Sequence, residues 1–354
     1  MGSNRPVLLS RMFSANERAG NAAQPRTRKG RVVSGGEAYL TNLEPATQDF
    51  VGQLTAAGAF PLSARPAAGV RRALTDLQSG PIGKPTASVE DMIFPVGPNG
   101  AVHIRIVRPM HTEEIMPIVM FFHGGCWVAG GADTHDRLIR EIAVGAHAAV
   151  VFVVFSRAPE IQFPLAVEEA YAATAYAVDH ADSLNLDGAR LAVAGDGAGG
   201  NMAAAVTIMS KQRRRPKILF QVLFYPATAA NFETASYQDW RNGPWLTRQD
   251  MEWFWNAYLP RAGDRADVLA TPLSATIDQL RGLPDALLIT AEVDVLRDEG
   301  EAYARKLSEA YVRTTCTRYI GTIHDFVMLN ALADTPSARG AVGQAIAALR
   351  SALA

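Results

Sequence analysis

The stretch from residue 195 to residue 201 reads Gly-Asp-Gly-Ala-Gly-Gly-Asn, and it lies between an apolar run and an alanine-rich segment. The run at 191–194 is typical of a buried strand, and residues 199–213 have the composition of a helix. Glycines at four of the six positions 195–200 let the chain turn sharply and let the helix pack closely on the strand. The pattern predicts a strand, a tight turn and a helix.

From Met116 onward, apolar runs alternate with helical stretches. The predicted strands cover residues 118–122, 148–155, 190–194, 218–224, 286–290 and 316–319. The predicted helices lie near residues 135–147, 164–181, 199–213, 299–311 and 335–352. Unbroken Val, Ile and Phe runs indicate strands that are buried on both faces, which is typical of a parallel sheet covered by helices. The sequence therefore predicts an α/β fold with a mostly parallel central sheet.

The segments before Met116 follow a different pattern. The runs at 89–94 and 102–107 flank a Gly-Pro-Asn-Gly turn at 97–100, so we expect them to pair as a hairpin. Residues 43–76 have a helical pattern, and the Gly-Pro-rich residues 80–85 predict a connector.

Residues 227–265 interrupt the alternation and hold four of the five tryptophans. An aromatic-rich helix is more often core than binding site, but this concentration predicts an insertion that covers a substrate. The candidate cap residues are Trp240, Trp245, Trp253 and Phe254.

Composition excludes several classes of protein. The 354 residues are 48% hydrophobic, and 34 basic against 35 acidic residues give a formal charge of −1, which does not fit a nucleic-acid binder. No apolar run approaches the roughly 20 residues that span a bilayer. Two cysteines cannot form a disulfide framework. We expect a soluble, cytoplasmic protein that binds neither nucleic acid nor a membrane.

The N-terminal residues 1–36 carry seven basic residues and one acid. An acid-poor, Arg-rich start is also typical of a transit peptide. Because no amphipathic stripe or apolar signal core is present, a flexible, solvated tail is the preferred interpretation.

A strand followed by a glycine-flanked turn and a helix is the nucleophile elbow G-x-S-x-G, whose third position holds the nucleophile. Here that position is Gly197. A second segment, His-Gly-Gly-Cys-Trp at 123–127, follows a predicted strand. Its consecutive glycines allow backbone N–H groups to approach a ligand, as an oxyanion hole requires.

The third feature is an acid followed by a histidine. Asp294 comes after the predicted strand at 286–290, and His324 comes after the predicted strand at 316–319. The order elbow, acid and histidine is that of α/β-hydrolases. A lone histidine after a strand is usually structural, whereas this ordered set is much less expected by chance.

These segments resemble the hormone-sensitive-lipase family of α/β-hydrolase esterases (bacterial family IV), which is marked by H-G-G-G-W, G-D-S-A-G-G-N and D-P-L-R-D-E-G motifs. The resemblance covers roughly residues 90–330 and extends to Arg157-Ala158-Pro159-Glu160 with Phe163-Pro164. It implies a helical cap at 37–85 and about 227–265 on an α/β-hydrolase domain at 86–354. It also implies an acid and base at Asp294 and His324, a serine position at Gly197, and an oxyanion hole at Gly124, Gly125, Cys126 and Ala198.

Two departures fall inside this site. The family's serine is replaced by Gly197, and the third glycine of the oxyanion loop by Cys126. Glycine cannot form an acyl-enzyme, and loss of the serine from a serine protease costs about 10⁶ in kcat. Ordinary ester hydrolysis through a serine is therefore predicted to be lost or nearly lost.

Three interpretations of the chain stay open at this point. His324 and Asp294 can act as a general base beside the oxyanion hole, giving elimination, cyclisation, isomerisation or direct water attack. A variant makes Cys126 a displaced nucleophile, although a small buried residue is the more ordinary interpretation. The chain can also be a catalytically silent binding protein, or a serine-knock-out form of an active carboxylesterase.

The remaining histidines do not group with Cys, Asp or Glu at metal-ligand spacing, so we predict no metal. The glycines at 195–200 do not match a dinucleotide fingerprint, so no cofactor is predicted. The expected partner is a small, mainly apolar molecule with an ester or carbonyl group. A homodimer is an expectation by analogy with such folds.

Overall fold

The computed structural model describes residues 42–59, 61–112 and 114–354; the predicted tail at 1–36 lies outside them. The described residues form an eight-stranded sheet in the order β1-β2-β4-β3-β5-β6-β7-β8. The strands are β1 (Ala87–Phe94), β2 (Val102–Pro109), β3 (Met116–Phe122), β4 (Ala149–Val154), β5 (Leu186–Asp196), β6 (Phe220–Phe224), β7 (Asp285–Val293) and β8 (Thr314–Ile323).

Strand pairing confirms the predicted class of sheet. β1 and β2 form the expected antiparallel hairpin, and β2 pairs antiparallel with β4. All pairs from β4 to β8 are parallel. The fold belongs to the α/β class and consists of a mostly parallel sheet flanked by helices. Because the strands from β3 to β8 run in one direction, their carboxyl ends meet at a single edge of the sheet.

The α-helices of the described residues are α1 (Pro45–Ala56), α2 (Ala67–Gln78), α3 (Ala132–Ala146), α4 (Leu165–Asp179), α5 (Ala198–Arg213), α6 (Ala235–Asp239), α7 (Arg248–Tyr258), α8 (Ile277–Leu280), α9 (Arg297–Glu309) and α10 (Pro336–Ala352). The helical pattern predicted over residues 43–76 is divided into α1 and α2. Gly58 ends the first helix with φ 65°, and Pro66 is the N-cap residue of the second. A left-handed residue and a proline both interrupt helical hydrogen bonding, which explains the break.

The core is centred on β3 and α5. Every residue of β3 is buried, as are residues 198–210 of α5. Alanines and glycines on α5 permit this burial, because small side chains let the helix lie close to the sheet on one side and to its neighbours on the other. The turn that precedes α5 is therefore fixed by dense packing on both sides.

Helices α1, α2 and α7 lie together over the carboxyl edge of the sheet. The backbone N–H of Ser63, between α1 and α2, donates a 2.7 Å hydrogen bond to Oδ1 of Asp250 at the start of α7. The rings of Phe50 and Trp245 also approach, with 5.9 Å between centroids. The N-terminal helices and the aromatic segment are thus in direct contact. Among the residues described, no helix has both the length and the apolar character needed to span a bilayer.

A substitution at Gly199 tests how closely α5 approaches the sheet. A Cβ at this position would lie 1.9 Å from the carbonyl oxygen of Phe122, which is a backbone atom that cannot rotate away. We expect Gly199→Ala to lower the free energy of unfolding in a urea titration by about 1–3 kcal/mol, the usual cost of overpacking.

The matched control is Gly52→Ala, at an exposed position of α1, where a Cβ would meet no atom within 4 Å. Alanine favours a helix over glycine, so this change should raise the free energy of unfolding by up to about 1 kcal/mol. Equal stability of the two variants would contradict the tight contact between α5 and β3.

Candidate active site

The turn between β5 and α5 consists of Gly197, with φ 52° and ψ −114°. Its N–H donates to the carbonyl of Phe224 at 2.9 Å, and its own carbonyl accepts from the N–H groups of Asn201 and Ala227 at 3.1 and 3.2 Å. Glycine adopts this backbone conformation without the Cβ clash that other residues meet. The sharp elbow predicted from the sequence is therefore present and is held by hydrogen bonds on both sides.

Asp294 and His324 follow neighbouring strands, β7 and β8, and their side chains meet. Nδ1 of His324 donates to Oδ2 of Asp294 over 2.8 Å, while Oδ1 of Asp294 accepts the N–H of Leu296 at 2.9 Å. Both residues are at most 3% exposed. The buried carboxylate fixes the orientation of the ring, so that Nε2 is the nitrogen left to face the elbow.

The elbow and the histidine converge. A Cβ built on Gly197 would lie 3.2 Å from Nε2 of His324, and the atom next nearest to it is Cε1 of the same ring at 3.6 Å. The structure thus brings together the three positions that the sequence order predicted. The space that a side chain at residue 197 would fill lies directly in front of Nε2.

Electrostatics favour the protonated form of this histidine. Burial by itself lowers the pKa of His324, but the carboxylates of Asp294 and Asp325 raise it to about 9. Oδ1 of Asp325 lies 3.5 Å from Nε2, on the side opposite to Asp294. At neutral pH the imidazolium therefore lies between two carboxylates.

The loop at 124–127 follows β3 and passes beside the elbow. Gly125, Cys126 and Trp127 all have positive φ, of 98°, 54° and 60°. No acceptor among the described residues takes the N–H groups of Gly125, Cys126 or Ala198. The inclusion of Gly124 in the oxyanion hole is wrong, because its N–H donates to Oδ1 of Asp196 at 2.9 Å.

Cys126 is 9% exposed and borders the largely apolar cavity under α1, α2 and α7. Burial, reinforced by surrounding carboxylates with Asp325 first among them, raises the pKa of its thiol well above the usual value. A thiol that stays protonated is a weak nucleophile. The environment of Cys126 therefore favours the interpretation of a small buried residue.

The same cavity locates the predicted cap residues. Trp245 and Phe254 line it, together with apolar side chains of α1 and α2. Trp240 and Trp253 instead pack, partly buried, against the hydrophobic core. No group of three or more His, Cys, Asp or Glu side chains in the part of the chain that the structure describes is placed to hold a metal ion.

Sequence analysis missed Asp325, which borders both His324 and the cavity. The signal was present, since a second acid directly follows the histidine in the segment 321–326. From sequence alone, an acid in that position is interpreted as an exposed loop residue. Only the structure of the turn after β8 shows that its side chain is buried.

Comparison with known proteins identifies the family of the chain. Residues 119–328 match a protein family described as α/β hydrolase fold. Carboxylesterase NlhH of Mycobacterium tuberculosis is 36% identical over 301 residues, which cover 83% of this chain and 93% of that protein. A putative α/β hydrolase, R526, of Acanthamoeba polyphaga mimivirus is 37% identical over 84% of this chain and 85% of its own.

Among solved structures, a thermostable esterase from Pseudomonas putida ECU1011 superposes with a TM-score of 0.87 at 42% identity, covering 88% of this chain and 98% of that one. The ester hydrolase EH1AB1 from the metagenome of Lake Arreo, solved with a bipyridine phosphonate derivative, gives a TM-score of 0.81 at 36% identity over 87% and 98% of the two chains. With a family match over more than half of its length and relatives that cover most of it, the chain belongs to the α/β-hydrolase-fold family and is related to carboxylesterases.

Proposed function

We propose that the protein hydrolyses small, mainly apolar carboxylic esters by direct attack of water, without an acyl-enzyme. Its relatives are carboxylesterases, which supports an ester as the substrate. In the resemblance to lipase-like esterases, Gly197 stands where the nucleophilic serine falls, and glycine has no atom that can hold an acyl group. Water is the simplest replacement for the missing hydroxyl.

One observation carries this proposal: Nε2 of His324 faces the position of the absent side chain at residue 197, at 3.2 Å from a Cβ built there. A serine hydroxyl at residue 197 would lie on this side of the ring, where it could donate a hydrogen bond to Nε2 or accept one from it. A water in the same space lies within hydrogen-bond reach of the base, as general-base catalysis requires.

The remaining groups supply the rest of the reaction. Neutral His324 takes a proton from water at Nε2 while the water oxygen bonds to the ester carbonyl carbon, and Asp294 stabilises the resulting imidazolium. The N–H groups of Gly125, Cys126 and Ala198 receive the oxyanion. When the tetrahedral intermediate collapses, the bond to the leaving alkoxide breaks and Nε2 returns the proton to it.

A catalytically silent binding protein is the second candidate. It is favoured by the raised pKa of His324, about 9, because an imidazolium cannot accept a proton at neutral pH. The retained cavity would then bind a ligand and release it unchanged. The two candidates differ in whether ester cleavage appears as the histidine loses its proton.

Restoring a hydroxyl tests the role assigned to residue 197. Gly197→Ser should raise kcat/KM for p-nitrophenyl acetate by about 10²-fold or more, since His324 and the oxyanion hole can then support an acyl-enzyme. A burst of p-nitrophenol in stopped-flow measurements should reveal that intermediate.

Gly197→Ala is the matched control, because it introduces the same Cβ at positive φ without a nucleophile. It should abolish the remaining hydrolysis by filling the space for water. If the serine variant is no more active than the alanine variant, residue 197 is not the nucleophile position of this site.

The pH profile tests the base. Because the pKa of His324 is raised to about 9, the neutral imidazole is a minor species at neutral pH and becomes the major one only above that value. After subtraction of the hydroxide-catalysed rate, kcat/KM should rise by about tenfold per pH unit below the pKa and level off above it.

His324→Gln should remove this pH-dependent rise in kcat/KM, and circular dichroism should show that the variant remains folded. A flat profile for the unaltered protein, or hydrolysis that survives in the glutamine variant, would reject general-base catalysis by His324 and leave binding as the function.

A further inference from the structure

Asp325 occupies a position that an ordinary loop aspartate does not. It follows His324 in the turn after β8, with φ 64°, and is 7% exposed. Left-handed backbone is uncommon for a residue with a Cβ, although Asp and Asn tolerate it better than most. The turn holds a carboxylate inside the protein, next to the proposed base.

Among the described residues, only one of its two carboxylate oxygens has a hydrogen-bond donor. Oδ2 accepts the indole N–H of Trp245 at 2.9 Å. Oδ1 is buried and accepts no hydrogen bond from any described residue; its nearest charged neighbour is Nε2 of His324 at 3.5 Å, which is an ion-pair distance. A buried carboxylate oxygen without a donor is costly, so a ligand that brings one is favoured there.

The cavity beside Asp325 is apolar over most of its lining. Leu54 of α1, Leu74 of α2 and Phe254 of α7 contribute to it, with Cys126 and Trp245 near the sheet. Arg65, which is partly exposed, is the basic side chain of this lining and comes from the cap side, whereas Asp325 comes from the sheet side. The cavity therefore combines an apolar body with one carboxylate at its inner end.

Acidic groups outnumber basic groups at this inner end. The carboxyl groups of Asp294 and Asp325 lie on either side of the single imidazole of His324; burial raises the pKa of Asp325, and the neighbouring His324 opposes that rise. The carboxylates of Asp196 and Asp250 lie close enough to act in the same direction on the neighbouring thiol of Cys126. A ligand group with a single positive charge complements this set, and an anionic group does not.

We propose that Oδ1 of Asp325 binds a protonated amine on the ligand, so that the site selects small molecules with an apolar chain and one ammonium group. This assignment rests on the proposed use of the cavity for substrate and narrows the substrate class to amine-bearing esters. The ammonium donates to Oδ1, and the apolar part of the ligand lies against α1, α2 and α7. Trp245 positions the carboxylate by holding Oδ2.

A pair of probes of equal size separates charge recognition from apolar binding. Dissociation constants for pentylammonium and for 1-pentanol are measured by NMR titration of the full chain at neutral pH. We expect pentylammonium to bind at least about tenfold more tightly, since a charge-assisted hydrogen bond in a buried site is stronger than a neutral one. Equal affinities would overturn the proposal.

Asp325→Asn keeps the shape of the side chain and suits the left-handed backbone, and it should bring the two affinities within about twofold of each other. Asp278→Asn removes the same charge from a side chain that is 85% exposed on α8, so it should leave the preference intact. Circular dichroism confirms that the variants are folded. A preference that survives in Asp325→Asn would show that another group binds the ammonium.

These measurements need no turnover, so they separate this proposal from the proposed function. Tight binding of pentylammonium by a protein that hydrolyses no ester would support the amine site and reject the hydrolase. Ester hydrolysis without any preference for pentylammonium over 1-pentanol would support the hydrolase and reject the amine site.

Discussion

The site depends on the close contact between the loop after β3 and the turn after β5, two neighbouring strands of the sheet. Asp196, the last residue of β5, is fully buried and accepts the N–H of Gly124 in the loop after β3. His135 of α3 lies 3.3 Å from the same carboxylate. Glycines 195 and 199 permit this contact, because any Cβ there would overlap backbone atoms. The elbow and the proposed oxyanion loop are therefore held in one arrangement before any ligand arrives, which is the preorganisation that electrostatic catalysis requires.

Within this arrangement, the groups that face the imidazole ring of His324 determine the chemistry. Asp294 holds Nδ1, and Nε2 faces a glycine on one side and Asp325 on the other. In a serine esterase the hydroxyl would occupy the space in front of Nε2; in the proposed mechanism a water takes that place, and Asp325 lies beside the same nitrogen. Gly197 leaves no side chain in front of Nε2, and Asp325 places a second carboxyl group beside the ring; the first feature supports the proposed water attack and the second the proposed preference for a cation.

The sequence was sufficient for the fold, because unbroken apolar runs and a glycine-rich turn are local signals. The order of Asp294 and His324 also led us to expect them after neighbouring strands, which is where they lie. It failed where the outcome depends on contacts between distant segments. The N–H of Gly124 is used by Asp196, 72 residues away. Trp240 and Trp253 look like Trp245 in sequence, but only Trp245 lines the cavity. Asp325 was missed because burial of a loop acid is set by the cap above it.

The bond between Ser63 and Asp250 joins residues 187 positions apart, and it fixes the turn between α1 and α2 against the start of α7. During synthesis on the ribosome, the first two helices emerge long before the segment that they contact. Leu54 and Leu74 are buried in the finished molecule, where they line the same cavity as Phe254 of α7, and α7 is not yet made during that interval. The cap over the cavity is consequently completed only after residue 250 has been made, and a nascent chain halted before that point exposes apolar surface that chaperones recognise.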